Sequence, residues 1–211
     1  MIPDPIGESA VRRARTAIEH ALGIRSTLWA LPDDPAWTEP GGAFVTLRTY
    51  PKGGLRGCVG FPLPTHPRRR AIDLAAVAAA LEDPRFRPVG SDEIDALTVE
   101  VSLLTRPELV PGTTADERKR GVVVGRHGLI VSVPGTSGLL LPQVAVEEGF
   151  DATSFLGATC EKAGLPPDAW KRPATRVERF GASVFAEAAP RGAIVRGRSA
   201  SRAPSAGPLA R

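Results

Sequence analysis

Residues 97–104, LTVEVSLL, alternate without a break: Leu97, Val99, Val101 and Leu103 fall on one side, and Thr98, Glu100 and Ser102 on the other. A period of two is that of a β-strand with one buried face and one polar face. Upstream, Ala71 to Leu81 combines six alanines with Ile72, Leu74, Val77 and Leu81. Alanine on nearly every side of a helix permits close approach to a sheet. Residues 97–104 are therefore expected at the centre of a sheet, with the alanine helix packed on it.

The other segments fit around that pair. Val11, Ala14, Ile18 and Leu22 recur at helical spacing, which predicts a helix over 8–22 stopped by Gly23. Residues 31–42 are a Pro/Asp/Gly loop. Phe44 to Tyr50 and Leu55 to Phe61 read as a hairpin around Pro51-Lys52-Gly53-Gly54. Asp83-Pro84 ends the alanine helix, because the residue before proline avoids helical geometry. Residues 107–120 read as polar loop with one helical turn at most. Strands are expected over 122–124, 128–133 and 139–141, a helix over 151–163, a short helix or turn over 166–170, and a last strand over 177–187. Tight turns between strands favour an α+β fold with a mainly antiparallel sheet flanked by helices.

Charge separates the chain into two parts. Residues 190–211 hold five arginines and no acid, against a formal net charge of +4 for the whole, so residues 1–189 are close to neutral. A near-neutral body does not present the basic face that nucleic acid requires. The expected organisation is one domain over 8–189 followed by a disordered basic tail over 190–211, dispensable for folding. Two cysteines, Cys58 and Cys160, make no disulfide framework. The first residues, MIPDPIGESAVRRAR, lack the apolar core of a secretory signal, and no apolar run is long enough for a bilayer. These features point to the cytoplasm.

Chemistry is most concentrated in Leu55-Arg56-Gly57-Cys58-Val59-Gly60. In an extended strand Arg56 and Cys58 project from the same side, and the glycines admit close approach. An arginine beside a thiol stabilises the thiolate and so makes a nucleophile. The bland alternative is a small buried cysteine. Arg85, in Asp83-Pro84-Arg85-Phe86, offers a fork for an anion, or else pairs with Asp83 to fix the helix-to-loop turn. Glu100, on the polar side of its strand, is a partner for arginine in a cleft or a solvent-facing carboxylate. His127, on a loop between two strands, suits acid–base work or is a plain turn histidine. Gln143 can read a polar ligand or satisfy backbone near Pro142. Cys160 reads as core. The candidates are thus Cys58, Glu100 and His127 for catalysis, and Arg56, Arg85 and Gln143 for substrate binding. No Walker loop, dinucleotide fingerprint, nucleophile elbow or metal-ligand spacing is visible, so no tightly bound nucleotide, cofactor or metal of the standard kinds is expected.

Six segments in order resemble one family: LRGCVG (55–60), AIDLAAVAAALEDPRFRPV (71–89), LTVEVSLL (97–104), GRHGLIV (125–131), LLLPQVAVEEGFD (139–151) and FLGATCEKAGLPPDAW (155–170). The chain is similar to the AMMECR domain family over roughly residues 10–188. The resemblance implies a compact α+β fold with a larger and a smaller lobe and a cleft between them. It also implies a pathway shared with Memo-type and radical SAM proteins, here as separate chains. The expected function is an enzyme or enzyme component acting on a small polar or anionic molecule. The alternatives are a non-catalytic ligand-binding or adaptor protein, and an RNA or nucleotide modification factor.

Overall fold

The computed structural model describes residues 2–25 and 27–197. It has five α-helices and eight β-strands among those residues, and every strand pairing is antiparallel. This is the α+β class that the tight turns predicted. The chain forms two compact units. The first contains residues up to Arg106 and returns with Ala182–Gly197; the second spans Pro107–Gly181. No helix among the described residues is long and apolar enough to cross a membrane.

In the first unit, β1 (Ala43–Thr49) and β2 (Leu55–Phe61) form the hairpin, and β3 (Leu97–Leu104) pairs with the other side of β1. The C-terminal half of β7 (Arg176–Glu187) pairs with β3, which sets β3 inside the sheet as its alternation demanded. Helices α1 (Asp4–Ala21) and α2 (Arg68–Leu81) cover one face. Val45, Leu47, Val99, Val101 and Leu103 meet Val11, Ile18, Ala71, Ile72, Ala75 and Ala79 there, all almost fully buried. Alanine makes this packing close. A Cβ placed on Gly57 of β2 would lie 2.0 Å from the Ala79 carbonyl of α2, so only glycine fits.

A buried ion pair joins α1 to the end of β7. Glu187 takes Arg15 in a two-point contact, and one of its oxygens accepts the Val99 amide at 3.0 Å. Glu19, 1 % exposed, is shared between Arg25 and Arg191, each at 2.9 Å. Residues 194–196, placed in the tail by composition, instead form β8 (Ile194–Arg196) on β7. Three anchors that are invisible in composition hold them: the β7 ladder, the Arg191–Glu19 pair, and Arg196, which bonds Asp4 at 2.8 Å and lies over the Phe185 ring at 4.6 Å. Residues 198–211 of the expected tail lie outside the described residues.

The second unit is built on the N-terminal half of β7. β4 (Glu108–Leu109) and β5 (His127–Val133) pair with it, and β6 (Thr136–Leu140) pairs with β5. α5 (Ala152–Lys162) buries Phe155, Leu156 and Cys160 against Leu129, Val131, Val177 and Trp170. Asp151 caps α5 by accepting the Ser154 amide, and Thr114 caps α3 (Ala115–Arg120) with Glu117 as its reciprocal partner. One local expectation changes, and one element is added. Residues 122–124 are not a strand but run into a turn at 124–126: Val122 is buried but Val123 is 47 % exposed, and the amides of Arg126 and His127 both donate to the Val123 carbonyl. Pro142–Glu147, which follows an apolar run, folds as the short helix α4 with the proline at its first turn.

Candidate functional site

Helices cover one face of β2, β1 and β3; the other face carries the polar half of each alternation. Thr46 is opposite Cys58 on β2 and opposite Glu100 on β3, so Cys58, Thr46 and Glu100 form one row across three strands. Thr46 Oγ1 donates to Cys58 Sγ at 3.3 Å. In the neighbouring row, Phe44 is opposite Gly60 and Ser102, and a Cβ on Gly60 would lie 2.2 Å from the Phe44 ring. Cys58 is partly exposed, whereas Cys160 is buried. Strand spacing separates the Cys58 and Glu100 backbones by about 9–10 Å, two ladder widths.

β2 is the outer strand of its unit, so half of its backbone groups need partners from outside the ladder. At Cys58 an ion pair supplies them. The Cys58 amide donates to Asp83 Oδ2 at 2.8 Å, and Arg85 Nη2 donates to the Cys58 carbonyl at 3.2 Å. Asp83 and Arg85 hold each other at 2.7 and 2.9 Å. Arg56 reaches Glu93 in a fork at 2.6 and 3.0 Å. Both guanidinium groups lie near the Phe86 ring, Arg56 at 5.9 Å and Arg85 at 5.5 Å. Glu93 also takes the exposed Arg87 at 3.5 Å.

These contacts set the titrations. The Arg85 guanidinium, followed by the Cys58 and Arg85 amides, pulls the Asp83 carboxyl down to about 2 against the opposing effect of burial. Arg56 likewise lowers Glu93. The Arg85 guanidinium is raised, chiefly by Asp83, and the Cys58 sulfur adds to the effect. Glu100 moves the other way. Burial raises its carboxyl, and Arg48 opposes that only weakly from 3.8 Å, beyond hydrogen-bond distance.

Four of the six candidates named from sequence, Arg56, Cys58, Arg85 and Glu100, thus lie in the first unit. Cys58 and Glu100 share the row, and Arg85 touches the Cys58 backbone. Arg56 and Arg85 meet at Phe86, with their forks already occupied by carboxylates. His127 and Gln143 belong to the second unit. His127 Nδ1 accepts the Val123 amide at 3.0 Å, which ties the ring into its own turn. Burial, then Arg179 and Arg126, lower its pKa. The side-chain oxygen of Gln143 is buried without a hydrogen-bond partner.

Four contributors were not singled out in the sequence. Thr46 and Arg48 are the polar members of β1, and the hairpin turn alone sets Thr46 against Cys58. Asp83 was read only as the helix stop before Pro84 and as the alternative partner of Arg85. Glu93 lies in a loop thirty-seven residues from Arg56, and no spacing rule connects them.

A hairpin edge strand with a braced cysteine, two alanine-packed helices and a long strand feeding two antiparallel units define a small mixed α/β domain of a distinctive kind. The chain belongs to the AMMECR1 family, whose model matches residues 11–185. It is 52 % identical over 200 residues to a protein of Thermococcus gammatolerans, with 92 % of this chain and 97 % of that one covered. Protein MJ0810 of Methanocaldococcus jannaschii is 44 % identical over 190 residues, covering 90 % and 94 %. The crystal structure of the uncharacterized protein PH0010 from Pyrococcus horikoshii superposes with a TM-score of 0.78 at 50 % identity, covering 93 % of this chain and 98 % of that one.

Proposed function

We propose that the first unit acts on a small polar molecule, with Cys58 as nucleophile and Glu100 as proton donor or acceptor. The observation that carries this is the state of Glu100. Its carboxyl is pushed up by burial, has no hydrogen-bonded cation, and sits in one row with a partly exposed thiol. A carboxyl kept where folding alone would not favour it is characteristic of acid–base sites. Asp83 and Arg85 fix the backbone that presents the thiol, and Thr46 orients the sulfur. The chemistry is that of an enzyme or enzyme component; the family resemblance suggests one serving a pathway with Memo-type and radical SAM proteins.

The experiment is alkylation of the native protein with iodoacetamide, followed residue by residue by mass spectrometry. Cys58 is expected to label in the native protein, while Cys160 labels only in denaturant. Protection of Cys58 equal to that of Cys160 rules out the nucleophile role and favours a non-catalytic adaptor.

A further inference from the structure

We infer that the cavity between α1 and residues 187–194 of the first unit is a site for a compact dianionic oxyanion, a phosphate group, held by Arg12, Arg25 and Arg191. None of its residues belongs to the Cys58 row, so the inference is independent of the reactivity of the thiol.

Helical spacing builds one wall. Arg12, Arg15, Thr16 and Glu19 recur at three- and four-residue intervals on α1 and share one side of it. Arg25 and Trp29, from the segment after the helix, and Glu187 and Arg191, from the returning chain, close the rest. Thr16 Oγ1 accepts the Trp29 amide at 2.8 Å, and the Arg12 guanidinium lies 5.1 Å from the centre of the Trp29 ring. The cavity measures about 140 Å³, small beside the pockets of roughly 300–1,000 Å³ that enclose drug-sized ligands.

Four guanidinium groups line it against two carboxylates. Both carboxylates are buried and committed. Glu187 takes Arg15 through both oxygens, and Arg15 spends its remaining donors on the Ile94 and Leu97 carbonyls. Glu19 accepts Arg191 Nε on one oxygen and Arg25 Nε on the other, each at 2.9 Å. The lining therefore keeps a surplus of two positive charges. Asp95 meets Arg191 from outside the lining, but its side chain is 70 % exposed and water weakens the pair. The surplus lies over a floor of buried ion pairs, on arginines whose donors are not used up. Arg25 is bonded through Nε alone, Arg191 through Nε and Nη1, and Arg12 makes no ion pair among the described residues. Arg191 takes φ +56°, a conformation that glycine adopts more readily, so the chain accepts an unfavourable backbone where it delivers a guanidinium to the cluster. Three arginines from three segments approach from different directions. A phosphate group offers three acceptor oxygens to such a set, whereas a carboxylate presents one plane.

Equilibrium dialysis of the full chain against labelled inorganic phosphate, at pH 8 and constant ionic strength, tests the inference. About one phosphate per chain is expected, with a Kd at or below about 1 mM. Arg12→Gln removes a guanidinium that no carboxylate of the fold uses, so its melting temperature without phosphate should be almost unchanged. Its affinity should fall about tenfold or more, the loss of a charge-assisted hydrogen bond. Lys162→Gln, on α5 of the second unit, should bind as the wild type does. Competition by phenyl phosphate separates the two sources of the group. Displacement at lower concentration than unlabelled phosphate marks the cavity as the seat of a phosphate ester, and equal displacement marks it as a site for the free ion; both keep the inference. No binding up to about 20 mM overturns it. So does binding that a folded Arg12→Gln variant retains in full, or that Lys162→Gln weakens equally, since either result reports diffuse attraction to the whole chain.

Discussion

Asp83 Oδ2 accepts the Cys58 amide at 2.8 Å, so a carboxylate at the end of α2 stands where the next strand of a sheet would stand. Arg85 completes the substitution by donating to the Cys58 carbonyl. The pair closes the open edge of β2 and presents its one thiol at the same time.

The first prediction follows from the Asp83 titration. Its carboxyl falls from 3.8 to about 2 in the folded chain. A depressed carboxyl contributes stability that is present above the unfolded value and lost as pH falls through the folded one. The shift corresponds to about 2 kcal/mol, lost between about pH 4 and pH 2. Urea titrations should show that loss in the wild type. Asp83→Asn should be less stable at pH 7 by a similar amount and should lack this pH-dependent component.

Glu100 predicts the opposite sign. Its folded pKa is raised by burial, so the folded state holds the proton more tightly than the unfolded chain. Ionised Glu100 therefore destabilises the fold as pH rises past the unfolded carboxyl value, and the deficit persists to neutrality. Glu100→Gln should raise the melting temperature at pH 7 and leave it almost unchanged at pH 4. Destabilisation at pH 7 would show that the Arg48 contact outweighs burial.

Gly57 allows no side chain. The nearest atom to a Cβ there is backbone, the Ala79 carbonyl oxygen at 2.0 Å, so no rotamer change relieves the clash. Gly57→Ala should cost about 1–3 kcal/mol or more. Stability within about 0.5 kcal/mol of the wild type by denaturant titration would contradict the close packing of α2 on β2.

Removal of the chain after Ala189 deletes β8 and takes Arg191 from the buried carboxylate of Glu19. The melting temperature should fall by more than about 4 °C, since each kcal/mol is worth roughly 2–4 °C in a chain of this size. An unchanged melting temperature would return residues 190–197 to the status of a dispensable tail.

The sequence made the main elements legible where periodicity was unambiguous. Leu97–Leu104 alternates cleanly and is the interior strand; the alanines of 71–81 pack on the sheet at Gly57. Val122–Val124 misled because a valine run signals strand by composition, whereas Gly125, with φ +78°, turns the chain at its end and the Val123 carbonyl accepts the Arg126 and His127 amides. Arg191 and Arg196 misled for a different reason: their partners, Glu19 and Asp4, are at the other end of the chain. Within the site, alternation gave the faces of Cys58 and Glu100. The brace at Asp83 and the neutralising role of Glu93 depend on how loop 83–93 folds back on β2, and no local pattern encodes that return.

Whether Cys58 and Glu100 share one site is tested most directly by the rate of Cys58 modification with iodoacetamide at pH 8, in wild type and in Glu100→Gln. An ionised carboxylate about 9–10 Å away opposes a thiolate by about 0.5–1.5 kcal/mol for effective dielectrics between those of water and a protein surface. The variant should therefore react about two- to tenfold faster. Identical rates in a folded variant would show that the thiol and the carboxyl do not sense each other, and that the row is not a single site.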